Sequence, residues 1–219
     1  MSSLRIAILG AGDVGSTLGR KWAKAGHSVA FGVKNPASER AQRLREDLGE
    51  HILIGSPAEA LAQSDIVLLA VSGSVVDELI ADNAELLDHK IIIDATNKLI
   101  KGQTAATNQW QGSGSLNSLS ALQVHAPHAQ VYRAFNSYAW EAFADPLYQG
   151  VQADLFYCGP EGEALMVVEQ LIAEIGLRPM RLGDLDQIEV VDNILRLWGT
   201  LAIFQGMGRN NVAFKVLTR

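Results

Sequence analysis

A single cysteine, Cys158, is all that the 219 residues contain. That excludes an intrachain disulfide framework and a Cys-rich structural zinc site. Basic charge is also scarce: the net charge is −6, and no run of Lys or Arg offers a footprint for nucleic acid. No apolar stretch approaches the ~20 residues that span a bilayer. The first strand starts so near the N-terminus that a secretory leader has no room, so a cytoplasmic location is expected. What is present suits such a protein. With 48% hydrophobic and 19% charged residues, the chain can bury a sizeable core as one large domain, or as one domain with a smaller appendage.

The most informative stretch is Leu4 to Gly15. Leu4–Leu9 is a short, β-branched, mostly apolar run of the kind that forms a buried parallel strand. It ends at Gly10, and an amphipathic helical pattern starts by Val14. Between them lies G-x-G-x-x-G, with Asp13 and Val14 in the last gap. Gly10 makes the tight turn, Gly12 admits a pyrophosphate close to the backbone, and Gly15 lets helix and strand pack closely. The helix N-terminus then presents free N–H groups and a positive dipole end to the phosphates. Among 20 glycines the motif alone is weak, but its place between a first strand and a first helix is the context a dinucleotide site requires.

Downstream, strands are expected at Ser28–Val33, Ile52–Ile54, Asp65–Val71, Lys90–Ala95 and Gln130–Phe135. Helical patterns lie between them: Asn35, followed by Pro36, reads as the cap of a helix running to about Gly49. Ser56-Pro57-Ala58-Glu59 reads as a capping box, and Ser74–Ala81 as a further helix. Such alternation means βαβ units and a parallel sheet. Residues 98–117 form a long polar loop with Trp110 as its one large anchor. Ser118–Val124 reads as a short helix. The end of the chain differs, with strands at Asp154–Cys158 and Pro179–Leu182 flanking a helix over Glu161–Ile175. A last helix, capped by Asp184, runs to about Gln205. Its apolar residues, from Ile188 to Phe204, cover nearly the whole circumference, so it must be covered on most sides, and a homodimer interface is expected there. The fold class is thus α/β: a Rossmann-type doubly wound parallel sheet in residues 1–150, with a small, mainly helical C-terminal extension in residues 151–219.

In such a sheet ligands bind at the carboxyl ends of the strands, which here supply Val71-Ser72, Thr96-Asn97 and Asn136. A second absence then bears on the cofactor. An NAD site usually has an Asp or Glu at the end of the second strand, whereas this chain reads Phe31-Gly32-Val33-Lys34-Asn35. With no carboxylate and one cation, Lys34 assisted by Arg40, the place suits the 2′-phosphate of NADP.

The segments Gly10-Ala-Gly12-Asp-Val-Gly15-Ser16, Gly32-Val-Lys-Asn-Pro36, Asp94-Ala-Thr-Asn97 and Arg133-Ala-Phe-Asn136 resemble the reductases that pass hydride between NADP and the deazaflavin coenzyme F420, together with the related ferric-reductase domains. The resemblance implies that Val33 and Lys34 stand where the family has its phosphate-reading Ser-Arg pair, leaving one cation of two. Asn97-Lys98 replaces the family's Asn-Pro, and Arg133 replaces a Lys. It also implies that the nicotinamide lies near Ala134, Phe135 and Asn136, with F420 or a flavin-like molecule as acceptor.

Catalytic acids and bases are missing as well. No Tyr (Tyr132, Tyr138, Tyr148, Tyr157) is followed four residues later by Lys, and the last helix carries no Lys. His125-Ala-Pro-His128 precedes the sixth strand, on the side away from the cofactor, and reads as a polar surface loop; no metal site is expected. Cys158 reads as packed. A site without acid or base suits transfer between two cofactor rings, where the protein supplies position and shelter. Trp110, Tyr138, Trp140 and Phe214 are candidate apolar walls. Reduction of a small imine or carbonyl remains an alternative, as does NADP(H) sensing without turnover.

Overall fold

The computed structural model describes residues 3–49, 52–98 and 115–219. Strand β1 (Arg5–Leu9), helix α1 (Asp13–Lys24), β2 (Ser28–Gly32), α2 (Glu39–Leu48), β3 (Leu53–Gly55), α3 (Pro57–Ala62) and β4 (Ile66–Leu69) alternate as the pattern requires. They are followed by α4 (Val76–Asp82), α5 (Ala84–Leu87), β5 (Ile91–Asp94), α6 (Leu119–His125) and β6 (Gln130–Arg133). All the pairings among these strands are parallel, in one six-stranded sheet of order β3-β2-β1-β4-β5-β6. The chain reverses its direction of travel across the sheet between β1 and β4, and that switch point opens a crevice at the carboxyl ends of the strands.

The sheet is covered on both faces. On one, Ile6, Ile8, Phe31, Leu68 and Ile93 pack with Leu18 and Trp22 of α1; on the other, Ala7, Leu9, Val67, Leu69 and Ile92 pack with Leu61, Ile80 and Leu122. Burial on both sides is why the strands read as continuous apolar runs rather than as alternating ones.

After β6 come α7 (Trp140–Ala144), the hairpin of β7 (Leu147–Tyr148) and β8 (Val151–Gln152), β9 (Asp154–Tyr157), α8 (Glu163–Ile175) and β10 (Arg178–Arg181). Strands β9 and β10 form a separate parallel pair, linked to the large sheet by an antiparallel bridge between Arg133 and Cys158. A short 3-10 turn (Leu185–Gln187), whose first N–H is capped by Asp184, leads into α9 (Ile188–Gly199), and a π turn (Thr200–Phe204) ends it. Trp22 of α1 ties the C-terminal elements down: its indole N–H donates to the Leu171 carbonyl at 3.0 Å.

Two local expectations differ from what is found. The helix expected to start at Asn35 begins at Glu39 and is capped by Ser38, whose hydroxyl accepts from the Ala41 N–H. Asn35 instead accepts from the Ala37 N–H at 3.0 Å. This Asx turn satisfies the same side chain without starting a helix. The last helix is also less enclosed than its composition suggests. Val191, Asp192, Leu195 and Trp198 face inward, whereas Val190 and Leu197 are 44% and 48% exposed. By contrast, the capping box at Ser56 is complete, with the Ser56 hydroxyl accepting from the Glu59 N–H and the Glu59 carboxylate accepting from the Ser56 N–H.

Candidate functional site

The three glycines of the first turn meet different neighbours. A Cβ on Gly10, whose φ is +109°, would lie 2.5 Å from the Ala70 carbonyl oxygen, and one on Gly15 would lie 2.2 Å from that of Gly10. Gly10 therefore permits the turn, and Gly15 lets α1 sit against it. Gly12 differs: a Cβ there would meet only the Arg40 guanidinium, at 4.0 Å. No packing demands glycine at this position. It faces the crevice as the N-cap of α1 with no side-chain cap of its own, leaving the first-turn N–H groups of the helix to a ligand. A pyrophosphate fits this cradle.

On either side of Gly12 the crevice widens. One cavity of about 540 Å³ is lined by Gly10, Gly12, Val33, Lys34, Asn35 and Ser38, with Arg40, Val71 and Pro57 around it and Glu78 and Asp82 on the wall from α4. Lys34 is exposed, and the exposed Arg40 pairs with Asp13 at 3.2 Å. Two cations thus stand at the end of β2, where an NAD site keeps its acid.

The other cavity, about 430 Å³, is lined by Asp13, Val14, Val71, Ser72, Asn97 and Asn136, closed by Tyr138, Ala139 and Trp140, and capped from the C-terminal region by Leu195, Trp198, Ile203 and Arg209. Gly12 and Val71 line both cavities, so one elongated ligand can cross from one to the other over the α1 N-terminus.

Under this second cavity lies a buried polar network. Arg133, with no exposure, donates from Nε to Asp192 Oδ1 at 2.8 Å and from Nη2 to Asn97 Oδ1 at 3.0 Å. Asn97 Nδ2 donates to the Asn136 carbonyl at 3.0 Å, and Asn136 Nδ2 donates to Asp192 Oδ1 at 3.3 Å. Asn117 Nδ2 donates to the other Asp192 oxygen at 2.9 Å. Asp94 takes the Thr96 N–H and hydroxyl on one oxygen, at 2.9 and 2.6 Å, and the Ser118 N–H on the other at 2.7 Å. A carboxylate on α9 therefore holds Asn97 through Arg133 and Asn136 directly. Buried charges persist where they are paired and hydrogen-bonded in this way.

Gly10, Gly12, Val33, Lys34, Asn35 and Val71 line the first cavity, while Asp13, Val14, Ser72, Asn97 and Asn136 line the second. Gly15 lies in the turn beneath. Thr96 is buried with its hydroxyl committed to Asp94 and does not line either cavity. Ala134 and Phe135 are buried too. Phe135, at φ +60°, turns its ring into the core, edge-on to Trp22 at 5.8 Å and to Phe143 at 5.6 Å. Of the apolar walls, Tyr138 and Trp140 line the second cavity. Phe214 instead packs beside Tyr138 and Phe156, and Trp110 lies outside the described residues. Cys158 is fully buried, and burial pushes its thiol up to about 12. Sequence reasoning missed Asp192, Leu195, Trp198, Ile203 and Arg209. Asp192 left a readable signal, an acid on the inward face of an apolar helix, which requires a partner.

The family model of the coenzyme F420-dependent NADP oxidoreductases matches residues 5–98. Over that stretch the chain is similar to these oxidoreductases. The match covers the Gly10–Gly15 turn, Lys34, Ser72 and Asn97, and so the lining of the first cavity and one side of the second. The rat (Rattus norvegicus) metalloreductase STEAP3 is 27% identical over 195 residues, which is 88% of this chain and 37% of that protein. Human STEAP2 is 23% identical over 196 residues, or 36% of its length. The chain thus spans little more than a third of these relatives. Among solved structures, a protein assigned as an F420-dependent NADP reductase from Arthrobacter sp. FB24 superposes with a TM-score of 0.81 at 23% identity, covering 99% of this chain and 100% of that one. A hypothetical protein from Sinorhizobium meliloti gives 0.69 at 26% identity, covering 100% and 97%. An Aspergillus terreus reductive aminase in complex with NADPH gives 0.65 at 19% identity, covering 94% and 64%. These likenesses bear out the Rossmann-type sheet with its helical C-terminal region, and among the described residues no helix is long and apolar enough to cross a membrane.

Proposed function

We propose that the chain is an NADP(H)-dependent oxidoreductase that passes hydride between the nicotinamide and a flat, flavin-like acceptor, with the deazaflavin F420 as the first candidate. Bound NADPH supplies the hydride; the chain's own residues supply position and shelter. Gly12 and the first turn of α1, with Asp13 and Val14, hold the pyrophosphate. Lys34 and Arg40 meet the 2′-phosphate, and Val33 and Asn35 border the ribose. Val71 and Ser72 form the floor between the two halves. Asn97 and Asn136, fixed by Arg133 and Asp192, orient the ribose and carboxamide of the nicotinamide end.

The observation that carries the choice of acceptor is the wall of the second cavity. Val14, Ala139, Trp140, Leu195, Trp198 and Ile203 are apolar, and Tyr138 commits its hydroxyl to the Asp154 carbonyl at 2.7 Å while burial pushes it well above the usual phenol range. Among the described residues, the cavity therefore presents apolar surface to stack a ring and no uncommitted buried acid to protonate an imine or carbonyl. The C-terminal region acts here as the closing side of the acceptor site. The exposed Val190 and Leu197 of α9 support a homodimer in which a second copy covers that helix, to be read by sedimentation.

The test is NADPH oxidation by the purified chain with F420, FMN, FAD, a ferric chelate and a cyclic imine supplied in turn. Turnover with the deazaflavin or a flavin is the expected result. Turnover with the imine alone favours the alternative of imine or carbonyl reduction, which the fold of the NADPH-bound reductive aminase keeps in view. NADPH binding with no turnover on any acceptor would overturn the enzyme reading in favour of a sensor.

A further inference from the structure

At the opposite end of the sheet from the crevice, two loops bring three ligating side chains together. Asp88 and His89 lie between α5 and β5, and His128 lies just before β6; the two strands are neighbours, with Ile91 opposite Gln130. Asp88 Oδ1 accepts the His128 N–H at 2.8 Å, and Asp88 Oδ2 accepts from the His128 ring nitrogen Nδ1 at 2.8 Å. His89 Nε2 stands 3.7 Å from that same oxygen. The two imidazoles lie nearly parallel, 4.7 Å apart at 10°, and one ligating atom from each of the three residues falls within 4.8 Å of the others.

His89 sits there at a conformational cost. Asp88 (φ −63°, ψ 147°) followed by His89 (φ +62°), with the Lys90 N–H donating to the Leu87 carbonyl at 3.3 Å, is a type II turn. Its third position favours glycine, because an L side chain is strained at positive φ. A β-carbon here is disfavoured by the backbone, yet the residue is an imidazole aimed at a carboxylate. Asp88 is itself fixed by two hydrogen bonds from His128, one from its backbone N–H and one from its ring.

We propose that Asp88, His89 and His128 form a site for one divalent transition-metal ion of the zinc or nickel class. A tetrahedral shell with bonds of ~2.0–2.1 Å separates its ligand atoms by about 3.3 Å. The distances from Asp88 Oδ2 to the two imidazoles, 2.8 and 3.7 Å, bracket that value. Small ring rotations therefore complete three ligands, with the exposed side left to water. The ion takes the place of the hydrogen bond between His128 Nδ1 and Asp88, and the imidazole's ring proton then sits on Nε2. The ion cross-links the loops entering β5 and β6 and lies far from the nicotinamide end, so it is independent of the redox reading.

The experiment uses the full chain, untagged and treated with chelator, titrated with Zn²⁺ and then Ni²⁺ by calorimetry, with thermal melts at each ratio. One ion per chain and a Tm rise of several degrees are expected. Affinity should fall tenfold or more in His128→Ala and in His89→Gly, with NADPH affinity unchanged in both. His125→Ala, three residues before His128 on the surface, serves as the control and should bind normally. His89→Gly has a second signature: relief of the turn should raise its Tm without metal while abolishing the metal-dependent rise. Absence of stoichiometric binding by the parent chain, or binding that persists in the His89→Gly/His128→Ala double variant, would overturn the proposal.

Discussion

Replacing Asp192 by alanine removes the carboxylate on which Arg133, Asn136 and Asn117 converge. Arg133 would keep the Asp94 carboxylate, 3.4 Å from its Nη1, and the backbone carbonyls at that nitrogen, but its Nε and two amide groups would face a void. Breaking a buried ion pair by deleting one partner costs about 3–5 kcal/mol, and about 4 kcal/mol is the expectation here. At ~2–4 °C per kcal/mol for a chain of this size, Tm should fall by roughly 8–16 °C. Asp192→Asn keeps the shape and one acceptor for Arg133 and Asn136, but it sets an amide donor against the Asn117 donor, at about 1–3 kcal/mol. Urea unfolding followed by circular dichroism measures both. Because the network holds Asn97 and Asn136, a functional readout accompanies the structural one: Asp192→Asn should weaken NADPH while leaving 2′,5′-ADP, which reaches only the Lys34 half, nearly unaffected. An alanine variant within about 1 kcal/mol of the parent would refute the reasoning, as would equal losses for the two ligands.

The glycines give a paired prediction. Gly12→Val should abolish NADPH binding with little change in Tm, because only the Arg40 guanidinium stands near the new side chain. Gly15→Ala should lower Tm strongly, because its Cβ meets the Gly10 carbonyl at 2.2 Å; the reverse pattern would move the pyrophosphate elsewhere. Lys34→Asp should weaken NADPH far more than NADH in a fluorescence titration, and equal losses would count against a 2′-phosphate at the end of β2. Burial opposes ionisation of Asp154, yet hydrogen bonds from Arg178, the Val216 N–H and Lys215 outweigh it and hold the carboxyl below its usual range. Its stabilising effect is therefore present above the unfolded-state value and is lost as pH falls through the lower folded-state value. Asp154→Asn should accordingly flatten the acid limb of the stability curve, measured as Tm against pH. Cys158, fully buried and with its thiol raised to about 12, should resist thiol reagents in the native chain and react on unfolding.

The sheet was readable because its causes are local. Six apolar runs separated by helical patterns force βαβ units, and the Gly10–Gly15 spacing marks the turn between the first strand and the first helix. The Ser56–Glu59 capping box is likewise complete within four residues. Asn35 was misread as a helix cap because its side chain can satisfy either an Asx turn or a helix start, and one-dimensional pattern does not choose between them. The family resemblance set Phe135 near the nicotinamide, but its ring packs in the core against Trp22 and Phe143.

Sequence alone determined the α/β class, the strand that opens the glycine-rich turn and the lack of an acid beside Lys34, since each rests on residues a few positions apart. Tertiary structure alone decided what holds Asn97 and Asn136, what closes the second cavity, and that His89 meets His128. Asp192 stands 59 residues from Arg133 along the chain, and Trp198 reaches the crevice only because α9 packs across β9. Such contacts depend on how packed layers bring distant segments together, and no spacing within the chain encodes that distance.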